Sequence, residues 1–352
     1  MAAAIVRAGS RMILQQDIEA AVARLGPVWP KLAGARIFFT GGTGFIGRWM
    51  LEILAQAPVD AEVLVLSRDP ARYAQAAPHL ARRFPAMAGE IGAFEFSDGA
   101  FTHVVHGATE ASAALTANDP CAMFDTIVNG TRRTLDFALH CGARRMLNMS
   151  SGAVYGVQPP HLSHVGEQWL GGPDPRNPKS AYAEGKRAAE TLCAIYGQQF
   201  GLDVVSARIF ALLGPMLPLD THFAAGNFIR DAAAGRRIRI ESSGEAVRSY
   251  LYAADLAVWL WTMLAHAPHG TVYNCGSEEA VSIAELARLA ADVLGGPGVD
   301  VLGSADAGWN PGRYVPSTAA IRRDLGVTAQ TPLDEAIRRT ALAYGWNDRC
   351  PA

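Results

Sequence analysis

Apolar positions along the chain change their spacing in a regular order. From Met12 to Leu25, residues Leu14, Ile18, Ala21, Val22 and Leu25 recur at helical intervals, with Asp17 and Glu19 near the start, until Gly26-Pro27 ends the pattern. This predicts an N-terminal helical extension. Ala35 to Thr40 is a short apolar run, a glycine-rich turn follows, and Phe45 to Leu54 resumes helical spacing, which reads as strand, turn, helix. Further apolar runs at Glu62 to Leu66, Thr102 to His106 and Arg145 to Met149 follow helix-compatible or loop sequence, including a helix from about Phe124 to His140. Such alternation implies an α/β protein with a parallel sheet and helices on both faces.

Past residue 200 the rhythm continues through Val204 to Phe210. It then breaks up among Gly214-Pro215, Gly295-Gly296-Pro297 and Asn310-Pro311-Gly312. Two helices are expected here, Ile283 to Leu294 and Leu333 to Tyr344, with Ser282 and Thr331 as nearby cap-type residues. The expected organisation is an extension over 1–34, a sheet domain over 35–212, and a smaller lobe over 213–352 that interleaves with the first. Val204 to Phe210 is the last segment expected in the sheet.

Composition narrows the partners. Of the 352 residues 50% are hydrophobic and only 18% charged, which argues against disorder, and the length suits about two domains. Thirty-one Lys plus Arg against 33 Asp plus Glu leave a net charge of −2, so no global positive field holds nucleic acid or an anionic membrane. An anionic ligand must be met by a few placed groups. Five widely spaced cysteines without a C-x-x-C pair indicate neither a disulfide framework nor zinc, and so a reducing compartment. The run Ala2 to Val6 is too short for a signal h-region, and no stretch reaches the ~18 apolar residues of a membrane span, so a cytoplasmic location is expected.

Thr40-Gly41-Gly42-Thr43-Gly44-Phe45-Ile46-Gly47 sets glycines at 41, 44 and 47 between strand and helix. Glycines permit the tight turn and let a pyrophosphate approach the backbone, while the helix start at Phe45 and Ile46 offers free N–H donors. An ordinary turn could use the same glycines, but the strand-turn-helix context favours a dinucleotide site. Arg48 after Gly47 lacks the G-K-[ST] ending of a P-loop. The second strand ends in Ser67-Arg68 where an acidic residue would meet the ribose of NAD. A guanidinium suits a 2′-phosphate, so NADP(H) is preferred over NAD(H), the alternative being that Asp69 approaches the ribose.

Tyr182-Ala-Glu-Gly-Lys186 puts a phenol and an ammonium on one helical face. An adjacent ammonium favours phenolate and would lower the tyrosine pKa toward working pH, as an acid or base for hydroxyl/ketone interconversion needs. Upstream, Arg145 to Met149 runs into Ser150-Ser151-Gly152-Ala153-Val154-Tyr155-Gly156, placing hydroxyls at a strand C-terminal edge. With TGGTGFIG at 40–47 and Asn129-Gly130-Thr131, these motifs resemble the extended short-chain dehydrogenase/reductases, the sugar-nucleotide epimerase/dehydratase group, from about Ala35 to Tyr344.

The resemblance implies a Rossmann-type doubly wound parallel sheet with a smaller C-terminal α/β substrate lobe. It implies that Ser151 bonds the substrate oxygen, Tyr182 exchanges its proton, Lys186 holds the nicotinamide ribose and tunes Tyr182, and Asn129 supports the active-site helix. Glu90, with Ile91, stands where an aspartate often meets adenine. Gly226-Asn227-Phe228 resembles the segment contacting the nucleotide sugar, and Arg248 and Arg313 resemble diphosphate-binding arginines, the alternative being surface ion pairs. A homodimer through helices near Phe124 to His140 and Ala181 to Tyr196 is implied too.

Departures from the family pattern shape the expected reaction. Family dehydratases carry Asp-Glu at the positions of Gly152 and Ala153, and uronate decarboxylases a glutamate at Ala153. Neither carboxylate is present. Ala211 replaces a frequent asparagine. The close pairs His103/His106, His161/His164 and His266/His269 lack a carboxylate partner pattern, so no metal site is expected. The expectation is an NAD(P)-dependent 4-epimerase or 4-ketoreductase of a nucleotide sugar. The alternatives are a dehydratase or decarboxylase, or a non-catalytic NAD(P)-binding sensor or scaffold, whose signature would be loss of the Ser/Tyr/Lys set.

Overall fold

In β1 (Ala35–Thr40) three consecutive apolar residues divide between two cores, because successive side chains of a strand point to opposite faces. Ile37 and Phe39 enter one core and Phe38 the other. The same split separates Val105 from Val104 in β4 (His103–His106), Leu147 from Met146 in β5 (Arg145–Ser151) and Val205 from Val204 in β6 (Asp203–Ile209). The computed structural model describes residues 13–109, 118–219, 224–304 and 312–346. The run Ala2 to Val6, Asn310-Pro311 and Cys350 lie outside them.

Together with β2 (Ala61–Ser67), β3 (Ala86–Ala88) and β11 (Val272–Cys275), these strands form one sheet in the order β11-β6-β5-β4-β1-β2-β3, every pair parallel. β11 corrects the expectation that no segment after Phe210 returns to the sheet: it pairs with β6 from Val272↔Ser206 to Cys275↔Ile209. Four residues after a Gly-Thr turn are too few to show a period. Smaller pairings join β7 (Leu212–Leu213) to β10 (Leu251–Tyr252), β8 (Ile238–Ile240) to β13 (Val299–Val301), and β9 (Val247–Arg248) to both β12 (Val281–Ser282) and β14 (Arg313–Tyr314).

The helices are α1 (Gln15–Arg24), α2 (Phe45–Gln56), α3 (Pro70–Ala76), α4 (Pro78–Arg83), α5 (Pro120–His140), α6 (Ala181–Phe200), α7 (Ala224–Ala233), α8 (Ala253–His266), α9 (Ile283–Leu294), α10 (Ala319–Leu325) and α11 (Leu333–Leu342). α1, α2 and α8 cover one face of the sheet; α5 and α6 cover the other. The sequence pattern does not reveal α8, because AADLAVWLWTMLAH is apolar on every side and shows no stripe. Trp259 and Trp261 are both buried in it. Ser282 does cap α9, in a reciprocal box with Glu285. Thr331 caps nothing: Pro332 is the N-cap of α11, and the N–H of Thr331 donates to Asp255 at 2.9 Å.

That aspartate belongs to a pair of buried carboxylates that fasten the extension. Asp255 on α8 accepts from Arg24 of α1 and from the backbone of Gln330 and Thr331. Asp17 on α1 accepts from Arg339 of α11 and, at 2.5 Å, from Tyr252. Removing one partner of such a buried set leaves the other groups desolvated and unpaired. Asp255→Ala is expected to lower unfolding stability by about 3 kcal/mol, read from the midpoint of denaturant unfolding; a loss below about 1 kcal/mol, the ceiling of an exposed pair, would show that the clamp carries little.

Candidate functional site

β1 is flanked by β2 on one side and β4 on the other, so the chain reverses direction across the sheet at its C-terminal end, where open parallel sheets bind ligands. The glycine-rich turn lies there. Gly41 has φ +79°, and a Cβ on it would sit 2.4 Å from the carbonyl carbon of Gly107. A Cβ on Gly47 would sit 2.3 Å from the Gly41 oxygen. Both glycines are thus required for the helix and β4 to close on the turn. Gly44 is the N-cap of α2, with Arg48 N–H returning to its carbonyl at 2.8 Å. The N–H groups of Phe45, Ile46 and Gly47, one turn from the helix start, have no carbonyl to meet within it and suit a phosphate. This cradle fits a dinucleotide pyrophosphate. Arg48 is buried against Glu52 at 3.0 Å and takes no part.

β2 ends at the buried Ser67, and Arg68 beyond it is exposed. Asp69 caps α3, its Oδ1 accepting from the N–H of Arg72 at 2.9 Å. The N–H of Gly89 donates to Ser67 at 3.0 Å and brings the 89–94 turn beside the cradle. Glu90 is exposed there, and Ile91 packs where a Cβ on Gly130 of α5 would lie, 2.9 Å away.

Ser151 closes β5, and its Oγ accepts from the N–H of Ala153 at 3.2 Å. Tyr182, in the first turn of α6, lies beside the Ser151 hydroxyl. Lys186, one turn on and buried, donates to the Met149 carbonyl at 2.8 Å and to Thr109 Oγ1 at 2.9 Å. One expectation is corrected here. Burial holds the Tyr182 phenol above its ordinary value, and the opposing influence is the Ser151 hydrogen bond, not Lys186. The lysine is drawn instead to the edge of β5. Its own pKa is lowered to about 8, first by burial.

Asn129 is a second correction. It lies on the exposed side of α5, whereas the face toward the site carries Met123, Ile127, Gly130, Thr131 and Thr134. Two residues along a helix turn a side chain by about 200°, so Asn129 points away when Ile127 and Thr131 point in. Ile127 packs with Met123 and Ala189 beside Tyr182. Thr131 instead supports the turn through His106, whose ring bridges Thr40, Thr131 and Thr134. Burial lowers the His106 pKa to about 3, so the bridge is neutral.

Sequence reasoning missed Tyr314. It sits on β14, stacks on Phe210 at 4.5 Å, donates to the Ile209 carbonyl at 3.5 Å and brings its hydroxyl near Ser151 and Tyr182. No motif marks it, since it reaches the site only through the pairing of Tyr314 with Arg248 across β14 and β9. A Cβ on Gly152 would lie 2.7 Å from the Tyr314 hydroxyl and 2.6 Å from the Phe210 ring. Arg248 bonds the carbonyls of Val247 at 2.8 Å and Gly312 at 3.3 Å. Arg313 pairs alongside Val247 but donates to Ser163, and Asn227 on α7 accepts from Arg230 at 3.1 Å. Behind Ser151, Ser150 donates to Glu190 at 2.5 Å; Glu190 also holds Arg208, which reaches Tyr155 and through it Asn274. Among the described residues no three His, Cys, Asp or Glu side chains are grouped to hold a metal, and no helix is long and apolar enough to cross a membrane.

A parallel sheet with a phosphate cradle at its reversal point and a Ser/Tyr/Lys set on the next strand edge defines a dinucleotide-dependent α/β enzyme. The NAD dependent epimerase/dehydratase family model matches residues 37–276, and the chain belongs to that family. It is 32% identical over 237 residues to UDP-glucuronic acid decarboxylase 1 of Xenopus tropicalis, a match covering 67% of this chain and 55% of that protein. Among solved structures it is similar to a UDP-glucose 4-epimerase from Thermotoga maritima with UDP-glucose, at TM-score 0.77 and 20% identity over 88% of this chain and 98% of that one. It is also similar to a DesIV double mutant, a dTDP-glucose 4,6-dehydratase from Streptomyces venezuelae with NAD bound, at TM-score 0.73 and 26% identity over 89% and 97%.

The buried lysine makes a pH prediction. Its folded pKa of about 8 lies below the ~10.4 of an unfolded lysine, so between those values the folded state binds fewer protons and stability rises with pH. Below about pH 8 both states are protonated and the burial penalty is constant. Wild type is therefore expected to gain stability relative to Lys186→Met between pH 8 and 10 in denaturant unfolding; parallel curves for the two proteins would contradict the shift.

Proposed function

We propose that the protein catalyses NAD(P)-dependent hydride transfer at a carbinol carbon, C4 by family resemblance, of a nucleotide-activated sugar, as a 4-epimerase or 4-ketoreductase. The observation that carries this reading is the wall at 151–153. Ser151 and Tyr182 lie side by side at the edge of β5, while the neighbouring positions hold no acid. Phe210 and Tyr314 fill the space a side chain at Gly152 would need, and Ala153 ends at a methyl group. Glu190, the carboxylate behind β5, is bound to Ser150 and Arg208 and faces the sheet network.

A bound nicotinamide supplies the hydride acceptor or donor. Tyr182 Oη, as the phenolate, takes the proton of the substrate hydroxyl as the carbonyl forms and returns it on reduction. Ser151 Oγ holds the reacting oxygen in line with Tyr182. Lys186, fixed by Met149 and Thr109, offers its ammonium to the nicotinamide ribose. Arg248 supports a diphosphate of the substrate, with Arg313 and Asn227 on the same lobe. NADP(H) is preferred over NAD(H), supported by the exposed Arg68 after β2 and the engagement of Asp69 as a helix cap. A homodimer is supported by apolar side chains exposed on α5 and α6, namely Phe124, Ile195 and Phe200.

The name of the frog relative favours decarboxylation as a second reading, and the missing carboxylate at Ala153 weighs against it. Nucleotide sugars and their 4-keto forms are offered to the purified protein with each cofactor. Stoichiometric NADPH oxidation marks a reductase, and epimer formation without net cofactor use marks an epimerase. Tyr182→Phe is expected to lower turnover by about 100-fold or more with the fold intact, and Tyr314→Phe to fall between it and wild type. Carbon dioxide release from a nucleotide uronate, or full activity in Tyr182→Phe, would overturn the proposal.

A further inference from the structure

At the opposite end of the sheet from Ser151, the first residues of β4, β5 and β6 meet the C-terminal end of α8 and the segment that follows α1. A cavity of about 430 Å³ lies there, lined by Lys31, His103, Arg144, Arg145, Asp203 and His266 among others. The seven residues of β5 put it about 20 Å from Ser151. Lys31 precedes the family-matched residues 37–276.

The charges in this cavity do not balance. Arg145 takes the negative groups available: its Nε donates to Asp203 at 2.7 Å, and its other nitrogens meet the Leu264 and Ala267 carbonyls at the end of α8, at 3.1 and 2.6 Å. His269 takes the second Asp203 oxygen at 3.1 Å. Lys31 and Arg144 have no hydrogen-bonded or ion-paired side-chain partner among the described residues, and both are exposed. The imidazole of His103 registers the resulting field: burial and the two neighbouring arginines lower its pKa to about 4. Its Nδ1 is bound to Thr102 at 2.8 Å.

We propose that this cavity binds a phosphate-bearing small molecule, with Lys31 and Arg144 as its cationic contacts. Two exposed cations lining one cavity, whose carboxylate is already held by Arg145 and His269, suit a polyvalent oxyanion, and a guanidinium matches phosphate oxygens in pairs. The volume exceeds that of a bare ion and leaves room for an organic substituent. Bound there, the ligand would join the segment after α1 to the sheet.

Pyrophosphate is the probe, titrated into the full-length protein by calorimetry at constant ionic strength. Wild type, with its glycine cradle occupied by saturating NAD(P), is compared with Lys31→Ala/Arg144→Ala, with Arg248→Ala to remove binding at the substrate lobe, and with Arg82→Ala as a surface-charge control. The expected result is a saturable binding step kept by Arg248→Ala and Arg82→Ala and weakened at least tenfold in Lys31→Ala/Arg144→Ala, whose turnover and thermal unfolding without pyrophosphate stay near wild type. Equal binding in the double variant, loss in Arg248→Ala alone, an equal loss in Arg82→Ala, or no saturable step in wild type would overturn the proposal.

Discussion

The close approach of Gly41 to Gly47 is the constraint on which the remainder of the site depends. With the Gly41 oxygen 2.3 Å from where a Cβ on Gly47 would lie, the first turn of α2 sits on the end of β1 with no side chain between them. The helix start is thereby aimed along the sheet edge, and its unpaired N–H groups face the place where a pyrophosphate would rest. Gly41 against Gly107 ties the same turn to β4. The His106 bridge from Thr40 to Thr131 then fixes β4 and α5 beneath it without introducing a charge. A side chain at either glycine would move the cradle away from Lys186 and Tyr182 before touching any ligand.

The reactive edge is held by a second set of contacts, and these account for its chemistry. Lys186 is anchored to the Met149 carbonyl, Ser150 to Glu190, and Ser151 to the N–H of Ala153 with two phenols beside it, so three successive residues of β5 are each fixed by a different partner. Burial opposes charge on Tyr182 and Lys186 alike. Proton movement at Tyr182 therefore depends on what the substrate and cofactor bring to the site. The small residues at 152 and 153 leave a wall of Phe210 and Tyr314 beside Ser151, which supports the proposed hydride and proton exchange.

Much of the sheet and the catalytic set was legible in the sequence because both are local. Short apolar runs marked β1, β2, β4, β5 and β6; glycine spacing marked the cradle, and the four-residue spacing of Tyr182 and Lys186 put them on one face. What depends on distant pairing was not legible. Tyr314 enters the site through two-residue strands, β11 through an edge pairing, and α8 hides in uniform hydrophobicity. Asn129 was misplaced because a motif match does not say which side of α5 faces inward, whereas the burial of Ile127 and Thr131 does. The carboxylates Asp17 and Asp255 gave no signal either, since their side-chain partners lie more than 200 residues away.

The central claim is that the site moves a hydride and removes nothing else from its substrate. Its most direct test is a single turnover with a nucleotide sugar deuterated at C4 and oxidised cofactor, with mass analysis of the cofactor and the sugar. The account predicts deuterium on the nicotinamide, or returned to an inverted C4, with the carbon skeleton intact and the transfer lost in Tyr182→Phe. Deuterium retained at C4 throughout, or a product shortened by one carbon, would contradict it.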